Sequence, residues 1–333
     1  MKKTVAIILA AASLAACAPV FSGCNCSGKV KFTLSEEGGR HYIISFSGLS
    51  SPGGEYVIPE TYGNENIPVT EIAAEGFSGT RFSKITVPET VTKIGNMAFS
   101  YCHALKEVEF AEGIKLESFN RALFAHSENL QQITIPDSVK TIGAYAFSNC
   151  YGLSTVEMSA VESIGYSAFE ECDVLERISL PSTLTTIGEL AFYRAGLKEI
   201  EIPGSVTDKI TVDGEDNEST VAGFGLAAFL GCTSLESVKI DEGVKIIPSA
   251  AFGACTALKE VHIPLSVEEI QGAHLEGNSL VYGDAFYGCT ALVNVYFAGS
   301  EEEWMDIKIE NSFYSSSVNN DPIKNARINY ESK

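Results

Sequence analysis

Six cysteines at one recurring position, five histidines and one acidic run are the residues of this 333-residue chain whose types permit covalent or metal chemistry. The recurring thiols are Cys102, Cys150, Cys172, Cys232, Cys255 and Cys289. Zinc needs thiols or histidines clustered at short loop spacing, which this even spacing does not supply. A disulfide reading is more serious for an exported protein, since stacked repeats would bring Cys150 near Cys172, or Cys232 near Cys255. Yet Ala195, Thr80 and Ser127 fill the same slot elsewhere, as a small buried filler does, so free buried thiols are expected. None of His41, His103, His126, His262 and His274 has a nucleophile motif beside it, and the chain holds no phosphate loop, no His-Glu-x-x-His and no Gly-x-Ser-x-Gly. The expectation is therefore no catalytic residue, no enzyme activity, no cofactor and no metal. Asp213-Gly214-Glu215-Asp216-Asn217-Glu218, inside the extra segment 208–219, offers carboxylates to calcium but lacks the spacing of a full calcium loop, and a solvated loop is expected.

The remaining cysteines, Cys17, Cys24 and Cys26, follow a start of another kind. Lys2 and Lys3 precede an uncharged apolar run from Thr4 to Ala16, the form of a secretory signal peptide, and too short to span a bilayer. Leu14-Ala15-Ala16-Cys17 resembles a bacterial lipobox, in which the cysteine thiol takes a diacylglycerol; Ser22-Gly23-Cys24 is a second candidate. The expected division is a signal peptide over 1–16 and a lipidated linker over 17–28, against the alternative of a soluble secreted protein. Membrane attachment is expected at this end only. A net charge of −20 repels phosphate backbones, so no nucleic-acid partner is expected.

What must position any functional side chain is a repeat. Phe77, Phe99, Phe124, Phe147, Phe169, Phe192, Phe229, Phe252 and Phe286 follow one another at intervals of 22, 25, 23, 22, 23, 37, 23 and 34 residues. A period near 23 means stacked repeats. One copy reads Leu130, Ile133, Ile135, Pro136, Val139, Ile142, Gly143, Ala146, Phe147, Cys150. Its front part alternates as a half-buried strand does. It recurs as Leu105-Val108-Phe110, Leu175-Ile178-Leu180, Leu197-Ile200-Ile202, Leu258-Val261-Ile263 and Leu292-Val295-Phe297. Pro136, Pro181, Pro203 and Pro264 end the strand, because proline cannot donate to a ladder. The second half is expected to close each coil with a short helical turn. Because Pro248 takes the place of the glycine after Ile247, that glycine signals close packing, not a left-handed backbone. The fold class is an α/β, β-rich leucine-rich-repeat solenoid of about nine coils of ~23 residues.

These residues resemble the BspA-like leucine-rich repeats of bacterial surface proteins over about residues 29 to 333. The resemblance implies an N-terminal cap over 29–66, repeats over 67–290 and a C-terminal cap over 291–333. The Trp304 ring offers a surface on which a sugar can stack, and is expected instead to pack the cap over the last coil. It also implies exposure at the bacterial cell surface or outer membrane, and adhesion to extracellular-matrix components such as fibronectin or fibrinogen, or to other microbes.

The side chains free to meet a partner are the outward strand residues: Lys84 and Thr86, Glu107 and Glu109, Gln132 and Thr134, Thr155 and Glu157, Arg177 and Ser179. They continue as Glu199 and Glu201, Ser237 and Lys239, Glu260 and His262, Asn294 and Tyr296. Such faces are what stacked-repeat proteins bind with, although a mixed polar row is also what any solvated face looks like. The function read from the sequence is a lipid-anchored, non-catalytic binding scaffold for an extracellular protein. Glycan capture for nutrition and a purely structural envelope role stand as alternatives.

Overall fold

The computed structural model describes residues 29–47, 53–207, 223–276, 279–310 and 320–331. The signal peptide, Cys17, Cys24 and the acidic segment 208–219 therefore lie outside the described residues. The described chain is a leucine-rich-repeat fold, rich in β-structure with few helices.

Strands of successive repeats pair in parallel, in register apart from a shift between Gly54 and Glu55. Gly54–Val57, Phe82–Val87, Glu107–Phe110, Gln132–Thr134 and Thr155–Glu157 form one five-stranded sheet. Glu199–Ile202, Ser237–Ile240, Glu260–Ile263, Asn294–Phe297 and Arg327–Tyr330 form a second. Alternation decides which side is buried: Ile200 and Ile202 enter the core while Glu199 and Glu201 face water. Between the two sheets the ladder lapses. The stretch 177–180 buries Ile178 as the repeat demands but forms no strand, which corrects the expectation of a strand at Leu175-Ile178-Leu180. Two-residue strands such as Thr141–Ile142 and Ser163–Ile164 form shorter parallel ladders along another side. At the N-terminus Lys29–Ser35 and His41–Ser47 make an antiparallel pair, and the second strand runs parallel to Ile67–Ile72.

The core is organised around the phenylalanines. Phe77, Phe99, Phe124, Phe147, Phe169, Phe192, Phe229, Phe252 and Phe286 are all fully buried, and consecutive ring centroids lie 5.0–5.9 Å apart. The 37-residue interval before Phe229 does not disturb the column: Phe192 and Phe229 stack at 5.0 Å with planes 2° apart. Each buried ring contributes roughly 1.5–3 kcal/mol of transfer free energy.

The coil is not closed by a helical turn, as the sequence suggested. From Phe77 to Phe252 the residues two before and two after the phenylalanine adopt positive φ, as in Tyr145 and Asn149 around Phe147, and Leu190 and Arg194 around Phe192. Such conformations are uncommon for residues with a side chain. What holds them is a second ladder: Tyr145, Phe147 and Asn149 donate their N–H groups to the carbonyls of Tyr166, Ala168 and Glu170 in the next repeat. A helical turn would spend those donors within itself. The Ile-Gly glycines serve close packing, as expected; a Cβ on Gly188 would lie 2.6 Å from the carbonyl carbon of Gly165, and one on Gly225, which follows Phe224 in the same place, 2.5 Å from that of Gly188.

The six recurring cysteines are free and buried. Each thiol donates to the carbonyl of the phenylalanine one repeat earlier, Cys150 to Phe124 at 3.1 Å and Cys289 to Phe252 at 3.0 Å for example. Ser127 does the same towards Phe99 at 2.7 Å.

The C-terminal end is built differently. Ser300 and Glu303 form a capping box that starts the helix Glu301–Asp306, and Trp304 is buried edge-on to Phe297 at 5.3 Å. Fully buried Asn320 accepts from the Phe286 N–H at 2.9 Å, supplying the oxygen that a further repeat would have offered, and its Nδ2 donates to the carbonyls of Gln271 and Glu310.

Candidate functional site

The outward strand residues line up in two columns, because the parallel pairs that carry them are in register. In the first sheet Lys84, Glu107, Gln132 and Thr155 form one column, and Thr86, Glu109, Thr134 and Glu157 the other. In the second, Glu199, Ser237, Glu260 and Asn294 continue to Arg327, and Glu201, Lys239, His262 and Tyr296 continue to Asn329. Arg327 and Asn329 escaped the sequence reading because their strand falls outside the repeat period. Arg177 and Ser179 sit in the stretch without a strand, where the Arg177 Nε lies 3.3 Å from Glu199 and bridges towards the second sheet.

Neighbouring repeats neutralise one another over much of this face. Lys84 reaches Glu109 at 2.9 Å and Glu107 at 3.4 Å, and these carboxylates hold its ammonium above the ordinary lysine range. Lys239 pairs with Glu201 and with Asp241, which likewise raise its pKa. His262 stacks on Tyr296 with centroids 4.5 Å apart.

The first sheet also carries a groove of about 680 Å³. Six of the strand-face residues anticipated from the sequence, Glu107, Glu109, Gln132, Thr134, Thr155 and Glu157, line it. Glu112 and Asp137 were missed; they follow their strands in the turn, where alternation no longer points to a face. Thr134 donates to Glu157 at 3.0 Å, and Ser159 donates to Asp137.

Among the described residues no group of histidine, cysteine or carboxylate side chains is arranged to hold a metal, and no helix is long and apolar enough to cross a membrane.

In-register parallel strands, a short turn ladder and a stacked aromatic core define a leucine-rich-repeat protein. Within that class, the model of the BspA type leucine rich repeat region matches residues 70–160 and 114–211, with six copies. The repeats over 70–211 belong to this BspA type. Among solved structures it is similar to a leucine-rich repeat protein from Bacteroides capillosus, with 31% identity over 38% of this chain and 94% of that one, at a TM-score of 0.32. A leucine rich cell surface protein from Faecalibacterium prausnitzii is 23% identical over 85% of this chain and 97% of that one, at a TM-score of 0.37. The pneumococcal vaccine antigen PcpA is 21% identical over 91% and 97% of the two chains, at a TM-score of 0.36. No curated protein matches the chain.

Proposed function

We propose that this protein is an exported binding scaffold, lipid-anchored through Cys17, or alternatively Cys24, at the bacterial cell surface or outer membrane. Its repeats over 67–290 wind as one solenoid of about nine coils, with caps over 29–66 and 291–333. It acts without catalysis, by holding an extracellular protein on the strand face. The observation that carries this reading is that face itself: two columns of solvent-facing side chains, in register and pinned from behind by a stacked aromatic core. A rigid frame with a variable polar surface offers specificity at low ordering cost.

Binding of the full chain to a panel of matrix proteins and glycans tests the reading. Saturable binding to a protein supports it. A glycan hit would favour nutrient capture, and silence across the panel would favour a structural envelope role. For the anchor, metabolic lipid labelling is expected to disappear in Cys17→Ala; retained label would move the anchor to Cys24.

A further inference from the structure

The two halves of the strand face differ in how their carboxylates are matched. Five acidic residues line the groove on the first sheet, Glu107, Glu109, Glu112, Asp137 and Glu157, and no basic residue joins them in its lining. Lys84, at one edge, serves Glu107 and Glu109 together. Among the described residues Glu112, Asp137 and Glu157 form no ion pair; hydroxyls of Thr134 and Ser159 answer two of them. On the second sheet, by contrast, Glu199 and Glu201 each meet a cation of a neighbouring repeat.

The groove is more than a cluster of charges. Val108, Ile133 and Ile114 turn into the core and line the groove only from beneath, so the apolar surface it offers beside the acidic residues comes from half-buried Phe110, Ala111 and Pro136. The Ser138 hydroxyl, also in the lining, is buried without a hydrogen-bond partner. Three strands about 4.8 Å apart underlie the groove, which makes it long enough for about four extended residues at ~3.3 Å each.

We propose that this groove is the docking site for a lysine- or arginine-bearing extended segment of a partner protein, its cations meeting Glu112, Asp137 and Glu157 and its stems lying against Phe110, Ala111 and Pro136. Guanidinium groups suit such a rim, because they bind carboxylates bidentately and their stems cover apolar surface. The inference rests on the proposed strand-face function and specifies the chemistry of its partner.

Fluorescence anisotropy with a labelled hexa-arginine peptide and the full chain tests it. Two triple variants remove the same charge: Glu112→Gln with Asp137→Asn and Glu157→Gln in the groove, and Glu176→Gln with Glu236→Gln and Glu268→Gln outside its lining. The expected result is saturable binding that weakens about tenfold or more in the groove variant and less than about twofold in the other. Equal weakening in both, or no saturable binding, would overturn the inference. If a protein partner stays bound to the groove variant but is lost when Glu107, Glu109, Glu199 and Glu201 are reversed to lysine, the strand-face reading stands and the inference fails.

Discussion

The recurring cysteine is a donor as well as a filler. Its thiol completes the phenylalanine carbonyl of the repeat before it, a bond that serine can replace at position 127 and that alanine at 195 forgoes. Burial pushes the thiols of Cys150, Cys232 and Cys289 up to about 12, and those of Cys172 and Cys255 well above the ordinary range. Thiolate is the reactive form, so the native protein is expected to resist alkylation by iodoacetamide at neutral pH and to label at all six positions once unfolded. Rapid native labelling would contradict the burial. Because the folded pKa is raised, the associated stability is full below about 9, the usual thiol range, and is lost progressively as pH rises towards about 12. The melting temperature is therefore expected to fall as pH is raised from about 8 to about 10. The size of this slot was legible from Thr80, Ser127 and Ala195. Its bonding was not, since the acceptor is a backbone oxygen one repeat away. Positive φ was equally hidden, because Tyr145 and Leu190 are not residue types that announce it.

At the scale of elements, two substitutions separate the roles of column and turn. Phe147→Ala removes a ring stacked on Phe124 and Phe169 and is expected to cost about 3–5 kcal/mol in chemical denaturation. Gly225→Ala, which would stabilise an unstrained site, is expected to cost about 1–3 kcal/mol, because its methyl would meet the Gly188 backbone. An unchanged midpoint in either variant would count against the packing described. The strands and the phenylalanine period were legible because both follow from alternation and spacing. The missing strand at 177–180 was not: its residue pattern is that of its neighbours, and what differs is pairing with the repeats on either side. Asn320 was invisible for a related reason. It replaces a repeat without resembling one, and only its place beside Phe286, Gln271 and Glu310 gives it meaning.

At the scale of the whole molecule the chain is strongly acidic. Its charge of −20 is distributed so that lysines and arginines answer carboxylates one repeat away at many points, while the groove over Glu107–Glu157 keeps an acidic rim. Exposed pairs of this kind add little stability, so they are free to vary with the partner and not with the fold. That freedom explains why the sequence led to the face and stopped short of the groove. Register and alternation are repeated in every copy, whereas the turn position of Glu112 and Asp137 holds Ser159, Ser182, Gly204 or Leu265 in other copies. The most direct test of the strand face as the binding surface is the affinity of the full chain for whichever panel protein it binds, beside a variant carrying Glu107→Lys, Glu109→Lys, Glu199→Lys and Glu201→Lys. The account predicts that binding weakens about tenfold or more in the variant with its melting temperature unchanged; undiminished affinity in a folded variant would contradict it.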